Sequence, residues 1–447
     1  MEPYSTLEVR NDQSGHPYVI FEPEKDLPEV APSDQPEAIW KDNGGLANGS
    51  ENCTEQRLIW GMRPRSFCVL AALVLLIVAG AVAGGTAGGI LSRQSTQDER
   101  KESPSDNASL TPSETPGTGP ILANSSLAAS SLVNAEGYTV RSVFFQDSSG
   151  ALVLRQWDSQ TTTWETRNLT SLLAMDTSRP NIRAYPGSSL TAASLEFEGK
   201  KLYETWVWFL TPDNGIQMVG SRDSTFTTNG IGIDNLPITV YAAAESKLAA
   251  TWQGCSSDCM GNWIIAFQNR QGHIGVANAS DTWRLGATLD GTIAAGSSMA
   301  MVPQRDGSGL LKLSLVAETV SSDTGGNIQS YSVSEGANWK TDGDILNDIS
   351  YTPSTPQLAG TSLFNYTQPY FLVLLSNGTV AGCLLNGTEV TNIYQPIKFP
   401  SGPSTNFTSI ATTLDASFYG ISNGEILEYH IDPSNPSVLS YVGVVFP

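Results

Sequence analysis

The strongest constraint on this chain is a unit that recurs six times through residues 126 to 447. Each copy opens with a small-residue strand, continues with an aromatic or aliphatic strand, turns at a glycine and returns in a third apolar strand. A Trp often precedes the next copy. The small-residue strands read SLAAS from Ser126, LTAAS from Leu190, KLAAT from Lys247, SSMAM from Ser297, QLAGT from Gln357 and TSIATT from Thr408. The turn glycines are Gly150, Gly215, Gly272, Gly326, Gly378 and Gly424, spaced by 65, 57, 54, 52 and 46 residues. That spacing matches four-stranded propeller blades with variable loops. One blade cannot bury both of its faces, but six packed radially can, so the copies form a single domain. Two sandwich domains would not explain six similar units in the same order. The glycines, several preceded by Asn or Asp, fit hairpin turns that need positive φ.

Composition supports an all-β reading, because only 15% of residues are charged and the chain holds 41 glycines; long surface helices usually need more charge. The formal charge of −20 argues against nucleic acid as a partner.

Phe67 to Leu91 is apolar and lies inside an uncharged run from Ser66 to Ser92. This is long enough for one helix across a ~30 Å hydrocarbon layer, which a helix crosses with its backbone satisfied. With 66 residues before it, the segment does not read as a cleaved signal peptide. Arg57, Arg63 and Arg65 before the span balance Arg93, Arg100 and Lys101 after it, so basic residues give only a slight bias toward an inside N-terminus. Gly80, Gly84 and Gly88 recur every four residues along the span, a bare face on which a second copy could pack as a homodimer.

Residues 1–66 form an acidic, proline-rich tail expected to be disordered. It carries two tyrosine-based stretches, Tyr4 to Leu7 and Tyr18 to Phe21, of the form that sorting adaptors read. Residues 92–125 form a Ser/Thr/Pro-rich stalk. Glycosylation sequons at Asn107, Asn124, Asn168, Asn278, Asn365, Asn377, Asn386 and Asn406 follow the span, and Asn48 and Asn52 precede it. Cys255 and Cys259 have no histidine or further cysteine nearby to complete a zinc site. They are expected to form a local disulfide, which places the C-terminal part in an oxidising compartment; Cys383 has no evident partner.

No metal or cofactor is expected, and no catalytic group stands out. Gly420-Ile-Ser-Asn-Gly424 matches the G-x-S-x-G pattern, but a strand rather than a helix follows it, which is wrong for a nucleophile elbow. Ser321-Ser-Asp-Thr-Gly325 begins a sialidase-type box, with Ile328 where Trp belongs. Trp157, Trp164, Trp206, Trp208, Trp252, Trp263, Trp283 and Trp339 could offer faces to a sugar or fill the blade core.

The unit VFFQDSSGALVL from Val143 with Trp164, AFQNRQG from Ala266 with Trp283, and Trp339 after the fourth unit resemble blades of the fungal fucose-specific lectin family. The resemblance implies a six-bladed β-propeller over residues 126–447. Taken with the acidic tail, the single span and the Ser/Thr-rich stalk, the chain looks like a type II single-pass membrane member of that group, with the propeller lumenal or outside the cell. Partners would be glycans or glycoproteins, and Trp164, Trp283, Trp339 and Glu428 are the candidate carbohydrate-binding residues. Two other functions stay open: an adhesion or interaction scaffold without sugar binding, and a propeller glycoside hydrolase. In that family an arginine on a blade's second strand, four positions before the turn Gln, pairs with a glutamate four positions after the turn glycine. Counted this way, the arginine positions carry Ser142, Val207, Ile264, Tyr370 and Ala416, the fourth unit being too divergent to align. The glutamate positions carry Leu154, Val219, Val276, Ser330 and Gly382, and only Glu428 matches. Arg141 and Arg155 each lie one residue off, on the opposite strand face.

Overall fold

A computed structural model of the chain describes residues 119–447, less short segments at 175–180, 183, 198–201, 224–225, 227–232, 256–260, 279–283, 307–308, 322–324, 347–348, 350 and 353–355, plus the paired stretches Arg10–Asn11 and Pro17–Tyr18. The chain divides into two units, Met1–Asn107 and Ala108–Pro447. Apart from that strand pair, the tail, the Phe67–Leu91 span with its glycine face and the stalk up to residue 118 lie outside the described residues. Among the described residues no helix is long and apolar enough to cross a membrane.

The second unit is an all-β, six-bladed propeller in which each blade is a four-stranded antiparallel meander. Blade 1 holds β1 (Ala128–Val133), β2 (Thr139–Gln146), β3 (Leu152–Asp158) and β4 (Thr163–Asn168), followed by a short helix α1 (Leu169–Ala174). Blade 2 holds β5 (Leu190–Phe197), β6 (Leu202–Leu210), β7 (Gly215–Ser221) and β8 (Ile233–Tyr241). Blade 3 holds β9 (Leu248–Gln253), β10 (Asn262–Gln268), β11 (His273–Asn278) and β12 (Arg284–Thr292). Blade 4 holds β13 (Met299–Asp306), β14 (Gly309–Ser321), β15 (Gly325–Ser334) and β16 (Lys340–Asp344). Blade 5 holds β17 (Gln357–Leu363), β18 (Gln368–Leu374), β19 (Val380–Asn386) and β20 (Glu389–Tyr394). Blade 6 holds β21 (Phe407–Thr412), β22 (Ser417–Ser422), β23 (Glu425–Ile431) and β24 (Leu439–Phe446).

The small-residue strands are the innermost of each blade, and their composition follows from crowding at the axis. Their hydroxyls bridge neighbouring blades: Ser189 Oγ accepts from Leu248 N at 2.9 Å, Ser298 Oγ from Leu358 N at 2.8 Å, and Thr361 Oγ1 donates to Thr413 O at 2.8 Å. Leu127 N donates to Ser409 Oγ at 3.0 Å, which joins the last blade to the first. Because strand side chains alternate between faces, each blade gives one apolar face forward and one backward. Six buried clusters result, one at each junction. Trp206, Trp208 and Trp263 are core at the blade 2/3 junction, and each large side chain so buried contributes roughly 1.5–3 kcal/mol.

Four of the six repeat glycines occupy left-handed turn positions: Gly150, Gly272, Gly378 and Gly424, with φ of 80, 83, 79 and 83°. The other two correct the expectation. In blade 2 Asn214 takes the left-handed place (φ 63°) while Gly215 starts β7; Asn tolerates that conformation better than most residues. Gly326 lies inside β15 opposite Val320, so the fourth hairpin reaches beyond it.

Candidate functional site

Strand pairing at the axis supplies the register that the glycines could not. Ala128, Thr191, Ala249, Ala300, Ala359 and Ala411 pair with Phe144, Trp208, Ala266, Val316, Leu372 and Tyr419. Two residues earlier on each second strand, the equivalents of Ser142 are Trp206, Ile264, Ser314, Tyr370 and Ser417. Across the hairpins, the equivalents of Leu154 are Met218, Val276, Ser330, Gly382 and Glu428. Val207, Val219 and Ala416, expected at these places, instead face backward, into the blade 1/2 and 5/6 cores. A one-residue error in the turn moved each to the wrong face.

Two junctions show what this register does. At the junction of blades 6 and 1, Glu428 points forward from β23 and Arg141 points backward from β2. Arg141 Nη1 lies 3.1 Å from Glu428 Oε1, and its Nε lies 2.6 Å from Asp415 Oδ2. Tyr419 donates to Glu428 at 3.1 Å, and the Arg141 guanidinium sits 4.7 Å from the Trp157 ring. Burial, only partly offset by Arg141 and the Tyr419 hydrogen bond, raises the Glu428 carboxyl above its usual range. Burial is the largest single influence on Arg141 and opposes its charge, but Asp415, Tyr419 and Glu428 together outweigh it, and the guanidinium is held more firmly protonated. Trp164 meets Tyr419 edge-on at 6.4 Å beside this cluster. Glu428 and Trp164 are thus brought together, and Glu428 is already occupied by protein.

At the junction of blades 3 and 4 the same positions carry Val276 and Leu313, and Val333 stands where Trp157 does. These shorter groups leave a cleft of about 450 Å³. Ile264, Val276, Leu313 and Val333 make its apolar floor, half-buried Trp339 one wall, and Gln253, Asn278, Asp290 and Lys340 its polar lining. The Tyr331 hydroxyl, with one proton to donate, lies 2.7 Å from Gln329 Oε1 and 3.0 Å from Asp290 O; burial, then Asp290 and Asp344, push it up to about 12. It therefore stays a neutral donor. An apolar floor, an indole and convergent polar groups suit a ligand with one apolar face and a hydroxyl-bearing edge.

Trp283 and Cys259 lie outside the described residues, as does Asn107. Cys255 is disulfide-bonded, and Cys383 is a free, buried thiol. Asn124, Asn365, Asn377, Asn386 and Asn406 are exposed, while Asn168 and Asn278 are half-buried. Asn168 Oδ1 accepts from Ser171 N at 2.9 Å at the start of α1. No group of metal-ligating side chains occurs among the described residues.

The architecture is a six-bladed β-propeller. No family model matches the sequence, and no curated protein does. Among solved structures, the chain is similar to the fucose-specific lectin from Aleuria aurantia, at 19% identity over 73% of this chain and 97% of that one, with a TM-score of 0.51. It is also similar to AofleA from Arthrobotrys oligospora, at 14% identity over 70% and 84%, TM-score 0.51. The SapL1 lectin in complex with alpha methyl fucoside matches at 15% identity over 72% and 97%, TM-score 0.51. At such identities the likeness establishes the fold alone.

Proposed function

We propose that this chain is a membrane-anchored, lectin-like propeller that binds carbohydrate through the cleft between blades 3 and 4, without the repeated fucose site of the lectins it resembles. The observation that carries the reading is the cleft itself: an apolar floor under Trp339, ringed by Gln253, Asn278, Asp290 and Lys340. The fold shared with fucose-binding lectins supports the ligand class. On a glycan array the full-length chain is expected to bind a restricted set of glycans, and Trp339→Ala to weaken that binding about tenfold or more by removing the stacking face. A blank array, or binding indifferent to Trp339, would favour the second reading, a scaffold without sugar binding. That alternative is supported by the occupation of Glu428 by Arg141.

The anchored form rests on the Phe67–Leu91 stretch, with the N-terminus cytosolic and residues 92–447 lumenal or outside the cell. A C-terminal tag in sealed microsomes is expected to resist protease, and glycosidase treatment to lower the mass. A tag cleaved in intact vesicles contradicts this topology.

A further inference from the structure

We propose a second ligand site at one axial mouth of the propeller, where a pocket about the size of one sugar residue takes a neutral polyol such as a terminal monosaccharide. This inference rests on the reading of the chain as a carbohydrate binder, but on different residues. Where the innermost strands end, a cavity of about 270 Å³ opens on the axis, and blades 1 to 6 all contribute to its wall. Trp252 presents a half-buried indole there, and Glu196, Arg305, Tyr366 and Asp415 surround it.

The charges select the ligand. Asp415 is already engaged by Arg141, which it shares with Glu428, and accepts from Thr413. Glu196 uses one oxygen, Oε2, to accept from Val133 N at 3.2 Å. The Arg305 side chain has no ion-pair or hydrogen-bond partner among the described residues. One carboxylate and one guanidinium remain, which balance, so a neutral ligand offering both donors and acceptors fits better than an ion. Sugar hydroxyls do both, and charge-assisted hydrogen bonds to them are roughly twice as strong as neutral ones. The volume lies below the 300–1,000 Å³ of drug-sized sites.

The loop that carries Tyr366 to the mouth is strained. Phe364, Asn365 and Tyr366 have φ of 50, 56 and 66° in succession, a left-handed run that non-glycine residues rarely adopt. The Tyr366 carbonyl accepts from Arg305 N at 2.7 Å, which fixes the loop over the opening. Burial first, then Glu196 and Asp415, raise the Tyr366 hydroxyl, with Arg305 opposing them, so these groups share one space. A loop that only joined two strands would not need three successive left-handed residues, whereas one that aims a hydroxyl into a pocket has a reason to hold them.

The test titrates the full-length chain with methyl α-mannoside, methyl β-galactoside, methyl N-acetylglucosaminide and methyl α-fucoside by saturation-transfer NMR and calorimetry. At least one is expected to bind in the millimolar range or better. That binding should fall about tenfold in both Arg305→Gln and Glu196→Gln and persist in Trp339→Ala. Arg305 and Glu196 are exposed, so neither variant should unfold, and an unchanged melting curve verifies this. Binding lost in Trp339→Ala but unaltered in Arg305→Gln and Glu196→Gln overturns the axial site and leaves the lateral cleft standing. Binding that survives all three variants also overturns it. No binding of any probe up to about 10 mM overturns it too; the glycan array then decides the lateral reading separately.

Discussion

Replacing Arg141 with Met is expected to lower the melting midpoint of the propeller by on the order of 5 °C, whereas Glu428→Gln leaves it almost unchanged. A propeller built from six sequential meanders has no strand exchanged between its first and last blades, so closure depends on what crosses that one junction. Apolar packing supplies part of it, including Phe145 against Phe446 at 4.8 Å. Arg155 Nε adds a hydrogen bond to Val445 O at 2.7 Å. Arg141 adds the ionic part, with side-chain exposures of 21% for Arg141, 26% for Asp415 and 5% for Glu428. Met keeps much of the volume against Trp157 but leaves two carboxylates facing each other without a cation. Breaking a buried pair costs roughly 3–5 kcal/mol, and partial exposure puts this case near the low end. Gln at 428 still accepts from Arg141 and Tyr419 and removes the cost of burying a charge.

The pH dependence carries a sign that simple loss of packing lacks. The folded Glu428 carboxyl is raised, chiefly by burial, so its contribution to stability is full below the unfolded value of about 4.3 and fades as pH rises through the folded value. Removing Arg141 raises it further. The deficit of Arg141→Met should therefore be largest at neutral pH and shrink toward pH 4.5. A deficit of equal size at both pH values, or a Glu428→Gln variant as unstable as Arg141→Met, would show that the cluster does not close the ring.

Much of the fold was legible in the sequence because a propeller repeats its physics. Every blade needs small residues at the axis and two apolar faces, and both demands leave a periodic record. Phase was harder to read than period. Asn214 does in blade 2 what Gly150 does in blade 1, and in blade 6 only Asn423 and Gly424 separate the paired Ser422 and Glu425, so counting from glycines slipped by one residue in those two blades. The five-residue turn from Thr211 to Gly215, the same length as Asp147 to Ala151, was the available signal. The ion pair was out of reach, since Arg141 and Glu428 are 287 residues apart and meet only when the ring closes. The 3/4 cleft was equally hidden, because it arises from what Val276, Leu313 and Val333 lack.

Titration with methyl fucoside is expected to show no set of micromolar sites. The lectin-type pair needs an arginine and a glutamate on one forward face, and the corrected register finds neither in five blades and only the glutamate in the sixth. Each charge-assisted hydrogen bond lost is worth roughly 1.5–3 kcal/mol, so losing both partners lowers affinity by about a hundredfold or more. Side chains also occupy the vacated space. In blade 5 the Tyr370 hydroxyl fills the position opposite Gly382, where an added Cβ would lie 2.4 Å from it, and donates to Pro436 O at 2.7 Å in blade 6's connection. In blade 2 Trp206 is 2% exposed and packs over Gly220. In blade 6 the surviving Glu428 is held by Arg141, so a fucose hydroxyl would have to displace a 3.1 Å ion pair. Arg141→Met supplies the control: if Glu428 were a sugar ligand restrained only by Arg141, this variant would gain fucoside binding. Binding should instead stay absent, because Ser417 offers no cation to complete the pair. Micromolar binding at several sites in the unaltered chain would mean that sugar contacts had been rebuilt from other residues.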